Sequence, residues 1–205
     1  QAGIEYYDKL RDKIRFREQY MIRFAFELMS KRRMTDGIEI LKLNARAFPE
    51  SVNGQFSLAE AYTFINNMET AKTHYHKTAK MDRTQAPFHQ YLKLAILMKD
   101  KATYQHLIND LKKNNVSKYK LRENVLNFLG YQMLQRNLVS EAILLFKTNT
   151  ELFPASFNVF DSLGEGYMRA GKKALAIQNY KKSLKLNPNN KNAVKMLGDL
   201  KQGTN

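Results

Sequence analysis

The 205-residue chain contains no cysteine. That absence excludes a disulfide framework, a thiolate zinc site and a cysteine nucleophile, and it leaves the redox compartment open, cytoplasmic or exported. No apolar run approaches the roughly 18 residues of a membrane span. The longest clusters, such as residues 142–146, have the size of a helix core. The first residues show no basic segment followed by an apolar one, so no signal peptide is read there. A chain that begins with Gln1 is expected to be a processed protein or a fragment of a longer one. Catalytic signatures are missing as well: neither H-E-x-x-H, nor G-x-S-x-G, nor the phosphate-cradling G-x-x-x-x-G-K-[ST] occurs. Of the four histidines, His74 and His76 stand two apart on a helical stretch. They point to different faces and make a poor metal pair. No catalytic residue, metal or cofactor is expected. Acid is scarce beside base: seventeen bases face twelve acids in residues 1–100, and seventeen face seven in 101–205. That surplus favours acidic partners in general and names none of them.

What is present is repetition. The stretch FPESVNGQFSLAEAY from Phe48 returns as FPASFNVFDSLGEGY from Phe153, 105 residues later, which is three units of 34 plus an insertion of three. Anchored at Gly164, one unit reads Phe160, Leu163, Gly164, Tyr167, Ala176, Tyr180 and Pro188. A step back of 34 gives Leu126, Leu129, Gly130, Met133, Ala142, Phe146 and Pro154. These residues resemble the tetratricopeptide pattern W-x₂-L-G-x₂-Y, A-x₃-F, P over 34 residues. The slots from residue 52 hold Leu58, Ala59, Tyr62, Ala71 and Tyr75, and those from residue 18 hold Met21, Phe24, Ala25, Leu28, Gly37, Leu41 and Pro49.

The resemblance implies an all-α solenoid of helical hairpins wound as a right-handed superhelix. Its expected parts are repeats at 18–51, 52–85, 123–156 and 157–190, and a degenerate hairpin with the insertion at 86–122. An extra amphipathic helix or helix extension is expected in 1–17, and a capping helix with a tail in 191–205, where Val194, Leu197 and Leu200 are read as facing inward. The slot chemistry has physical grounds. Gly130, Gly164, Ala25 and Ala59 are small where two helices come closest, because close-packed interiors leave no room for more. Pro49, Pro154 and Pro188 stop second helices, and Ser51, Ser156 and Asn190 are expected to cap the next ones.

In proteins of this resemblance the first helix of each repeat lines a concave face. Carried over, the groove places hold Asn53, Asn124 and Asn158, read as grips for a peptide backbone. Further places hold Phe26, Phe56 and Tyr131 as apolar contacts, with Asn127, and Glu60, Asp161 and Glu165 as acids. The implied function is a non-catalytic scaffold that binds a protein or peptide. A carboxylate clamp is not expected, because Asp161 and Glu165 would repel a terminal carboxylate. Residues 123–202 also resemble the repeat tails that follow serine-hydrolase domains in some bacterial proteins, which would make the chain the accessory part of a larger hydrolase or esterase. For nucleic acid only charge speaks. Lys112, Lys113, Lys118, Lys120 and Arg122 cluster around Tyr119, but no regular code runs down one face, so nucleic acid is not the expected partner.

Overall fold

A computed structural model describes residues 17–81, 85–119 and 121–202. The described residues form eleven α-helices and no strand. They are α1 (Glu18–Ser30), α2 (Met34–Ala47), α3 (Val52–Phe64), α4 (Met68–Met81), α5 (Gln85–Leu97) and α6 (Lys101–Tyr119). They continue with α7 (Glu123–Gln135), α8 (Val139–Leu152), α9 (Phe157–Arg169), α10 (Lys173–Leu186) and α11 (Lys191–Gln202). The chain divides into two compact units, Gln1–Met98 and Lys99–Asn205. Of the extra helix or helix extension expected in 1–17, residues 1–16 lie outside the described residues.

Each hairpin turns in the same way. The first helix ends on a residue in the left-handed region: Arg32, Asn66, Asn137 and Gly171 have φ of 62, 61, 60 and 69°. The next N–H then closes a six-residue loop onto the helix: Arg33 to Leu28 at 3.0 Å, Asn67 to Tyr62 at 2.9 Å, Leu138 to Met133 at 2.9 Å and Lys172 to Tyr167 at 2.9 Å. This is a Schellman closure, which satisfies carbonyls that the helix end would leave open. The accepting residues are the Tyr slots of the 34-residue pattern.

The corner between repeats is equally regular. Phe48, Phe153 and Asn187 donate to the carbonyls of Asn44, Asn149 and Ser183, and Ser51, Ser156 and Asn190 then donate back to Phe48, Phe153 and Asn187. The recurring FPES and FPAS segments are this corner. Two of the three expected caps form. Ser51 Oγ accepts from Gly54 N at 3.1 Å, and Asn190 Oδ1 accepts from the N–H groups of Asn192 and Ala193 at 3.1 and 3.4 Å. Ser156 makes no side-chain cap bond, which corrects the reading of it as a cap.

In the first unit α1 pairs with α2 and α3 with α4, and α5 packs on α4. Its core is built from Ala25, Met29, Ile38, Leu41, Leu58 and Ala61. In the second unit α7 pairs with α8 and α9 with α10, while α6 lies against α8 and α11 against α10. α6 runs 19 residues where α2, α4, α8 and α10 run 14. Close approach accounts for two glycines of the second unit. A Cβ on Gly130 would overlap the Phe146 ring, and one on Gly164 would lie 2.8 Å from Tyr180 Cε1. One expected inward residue is misplaced: Ala193 and Leu200 anchor α11, whereas Val194 is 55% exposed.

Candidate partner-binding site

In the first unit, two groove residues read from sequence, Phe26 and Glu60, come together with Gln90. Phe26 on α1, Glu60 on α3 and Gln90 on α5 share a cavity of ≈ 610 Å³ with Met29, Phe64 and Tyr75. They meet because Phe26 and Glu60 occupy the same place in successive first helices, 34 residues apart, so repetition stacks them side by side. Phe64, at the end of α3, is 70% exposed at this cavity. Sequence reasoning missed it, although it lies in the last turn before the hairpin bend, where its predecessor in the repeat is Ser30. Glu60 is exposed as a residue, yet desolvation of its carboxyl pushes the pKa upward. Burial pushes the Tyr75 hydroxyl up to about 12.

Phe56 does not line this cavity. It is half-buried and packs edge-on against Tyr75, with ring centroids 5.6 Å apart. Asn53 is exposed. Beside the cavity, His74 stacks on Tyr62 at 5.6 Å, and its Nδ1 lies 2.9 Å from Gln55 Oε1. Burial, with Lys77 nearby, lowers the His74 pKa. A histidine lowered on folding contributes stability that is present above its unfolded pKa of about 6.5 and is lost as pH falls through the folded value. Thermal unfolding of the chain is therefore expected to shift to lower temperature between pH 7.5 and 5.5. His74→Gln should reduce that shift; a variant with the wild-type pH profile would remove His74 from the account.

In the second unit most of the expected site is engaged internally. Asn127 is buried at 6%, and its Oδ1 accepts from Asn149 Nδ2 at 2.8 Å, which takes it out of any exposed surface. Asn158 Nδ2 donates to Glu123 Oε1 at 3.3 Å. Asp161 accepts from Asn190 Nδ2 at 2.8 Å and from Asn192 Nδ2 at 2.6 Å. The Tyr131 hydroxyl donates to Glu165 Oε2 at 3.2 Å, beside Ser162 Oγ at 3.3 Å, while its ring stands edge-on to Phe146. Burial, reinforced by the Glu165 charge, pushes Tyr131 up to about 12. Arg169 approaches Glu165 at 3.9 Å. Asn124 remains exposed. A smaller cavity of ≈ 320 Å³ touches Glu165, Arg169, Tyr180 and Asn192.

Of the basic cluster, Lys112 pairs with Glu151 at 2.8 Å, and the side chains of residues 114–120 lie outside the described residues. Among the described residues no group of three or more metal-ligating side chains gathers, and no helix is long and apolar enough to cross a membrane.

Residues 157–190 match the sequence model of the tetratricopeptide repeat. No curated protein sequence matches the chain. Among solved structures, YrrB, described as a TPR protein with an unusual peptide-binding site, is 13% identical with a TM-score of 0.51, covering 96% of this chain and 97% of its own. A MamA protein is 16% identical with a TM-score of 0.52, covering 82% and 91%. MamA from Desulfovibrio magneticus RS-1, residue 41 to the end, is 12% identical with a TM-score of 0.51, covering 85% and 97%. At such identities the likeness is one of fold, and none of these proteins is a hydrolase tail by its description. The described residues have the all-helical fold of tetratricopeptide-repeat proteins, and residues 157–190 match the sequence model of that repeat.

Proposed function

We propose that the chain is a protein-interaction scaffold whose first unit captures a partner segment through one large apolar side chain flanked by a basic residue. The observation that carries this reading is the ≈ 610 Å³ cavity in which Phe26, Met29 and an exposed Phe64 meet. An aromatic side left open at a concavity loses hydration cost when another apolar group fills it, and such pockets anchor binding energy. Glu60 supplies the charge preference. Its carboxylate is partly desolvated, so a Lys or Arg beside the apolar anchor would replace lost hydration. That a fold neighbour is described as having a peptide-binding site supports this use of the fold. Asn53, exposed on the same helix as Glu60, is assigned in this reading to bond the backbone of the captured segment. The second unit offers less, because Asn127, Asp161 and Glu165 are already bonded.

The test is selection of a random displayed-peptide library on the full chain. Enriched peptides are expected to carry an aromatic or branched aliphatic residue next to Lys or Arg. Phe26→Ala should weaken them roughly tenfold or more, in line with the loss of a buried anchor of about 1.5–3 kcal/mol. Glu60→Gln should weaken the basic class selectively. Peptides indifferent to both substitutions would sink the proposal.

A further inference from the structure

The cavity of the second unit differs from that of the first at matching places. Glu165, Met168, Arg169 and Tyr180 stand 105 residues after Glu60, Thr63, Phe64 and Tyr75, and each set lines its own unit's cavity. Two exchanges change the chemistry. Thr63 offers the Tyr75 hydroxyl a hydrogen bond, whereas Met168 offers none to Tyr180. Tyr180 is fully buried, and its hydroxyl is left without a hydrogen-bond partner. Phe64 gives way to Arg169, so a cation stands where the first cavity has a ring.

The other polar groups at this ≈ 320 Å³ cavity also keep unused capacity. Glu165 accepts the Tyr131 hydroxyl through Oε2, while its Oε1 lies 3.9 Å from Arg169 Nη2, beyond hydrogen-bond reach. Asn192 donates through Nδ2 to Asp161, which fixes the orientation of its amide and leaves Oδ1 as the open end. The cavity therefore offers two donors, the Tyr180 hydroxyl and the Arg169 guanidinium, and two acceptors, Glu165 Oε1 and Asn192 Oδ1. The charges of Glu165 and Arg169 cancel, which favours a neutral ligand. Half-buried Met168 and Met196 supply apolar wall.

We propose that this cavity binds a primary carboxamide, the side chain of a glutamine in a partner segment. A carboxamide has two N–H donors and a carbonyl oxygen with two lone pairs, the complement of the open groups. Glutamine carries it on a short methylene stem that the flexible Met168 and Met196 can pack. The volume suits one long side chain rather than a larger ligand. A buried hydroxyl without a partner costs free energy in the unbound protein, and the ligand's carbonyl recovers that cost.

Blocked pentapeptides Ala-Ala-X-Ala-Ala, with Gln, Glu or Met at X, test this on the full chain through the methyl NMR signals of Met168 and Met196. Titrated to about 10 mM, a range that reaches the weak affinity of a single side chain, the Gln peptide should shift both signals saturably. Met matches glutamine in length and Glu matches it in shape, so both should bind at least about fivefold more weakly. Tyr180→Phe removes only the hydroxyl. It should weaken the Gln peptide roughly fivefold or more and leave the melting temperature no lower, since that hydroxyl makes no bond in the unbound chain. Met168→Thr, which gives Tyr180 the partner that Tyr75 has, should weaken binding in the same way, read at Met196. Both reporters lie in the second unit, so the outcome is independent of the first cavity. No saturable shift with the Gln peptide, equal binding of the three peptides, or wild-type binding by Tyr180→Phe would each overturn the proposal. Propionamide binding as tightly as the Gln peptide would overturn the assignment to a partner segment.

Discussion

Phe146→Ala is expected to lower the stability of the second unit by about 3–5 kcal/mol, the usual cost of emptying a fully buried aromatic site. Phe146 is 0% exposed and meets two other helices at once, α7 and α9. Its ring is pressed against Gly130, approaches Gly166 and receives the Tyr131 ring edge-on at 5.2 Å. The backbones cannot collapse into the vacated volume, because α7 and α8 are held by their shared turn and by the Asn149 bonds. The cycle with Gly130→Ala makes the prediction specific. In the wild type the added methyl overlaps the ring and should cost about 1–3 kcal/mol by overpacking. With Ala at 146 the same methyl enters free space, and helix propensity favours Ala over Gly by about 1 kcal/mol. The second substitution should therefore change sign with the background, read as denaturant midpoints. Additive effects would show that Gly130 is small for some reason other than this ring.

The second large effect is a contrast at one slot. Asn44, Thr78, Asn149 and Ser183 occupy the same position in the second helices α2, α4, α8 and α10, and each is 0% exposed. Asn149 Nδ2 donates to Glu123 O and to Asn127 Oδ1, both at 2.8 Å, and Ser183 Oγ donates to Phe157 O at 2.9 Å. The slot thus ties the second helix to the first turn of its partner. Thr78 bonds within its own helix, to Tyr75 O at 2.8 Å. Asn44 has no hydrogen-bond partner for Nδ2 or Oδ1 among the described residues, because Ile22 stands where Asn127 stands in the later repeat. Asn149→Thr should cost about 1–3 kcal/mol, since it strands Asn127 and a carbonyl without water. Asn44→Thr should gain about 1 kcal/mol, because the new hydroxyl can bond its own helix as Thr78 does. Melting temperatures of the two variants should move in opposite directions; movement in the same direction would reject the shared-slot account.

The same slot explains which parts of the site were legible. Asn127 and Asp161 look like groove residues because helical spacing alone places them on the first-helix face. Their actual partners, Asn149 and Asn190, lie 22 and 29 residues away. No local pattern announces that a side chain will be spent on such a neighbour. Phe64 was invisible for the converse reason: its place in the repeat belongs to no family slot, and only the stacking of α1, α3 and α5 makes it a wall of the cavity.

By itself the sequence determined the helices, their pairing into hairpins and the 34-residue phase. These follow from period, from small residues at Gly130, Gly164, Ala25 and Ala59, and from prolines at the corners, all interactions within one or two helices. Tertiary structure alone decided that polar groove positions of the second unit bond inward, that a cavity opens beside Phe26, and that no side chain lies within 4 Å of a Cβ at Gly198 among the described residues. Each of these depends on distances between residues of different helices. Such distances arise only when packed backbones fix where side chains end, and that is a property of the assembled layers rather than of any one segment.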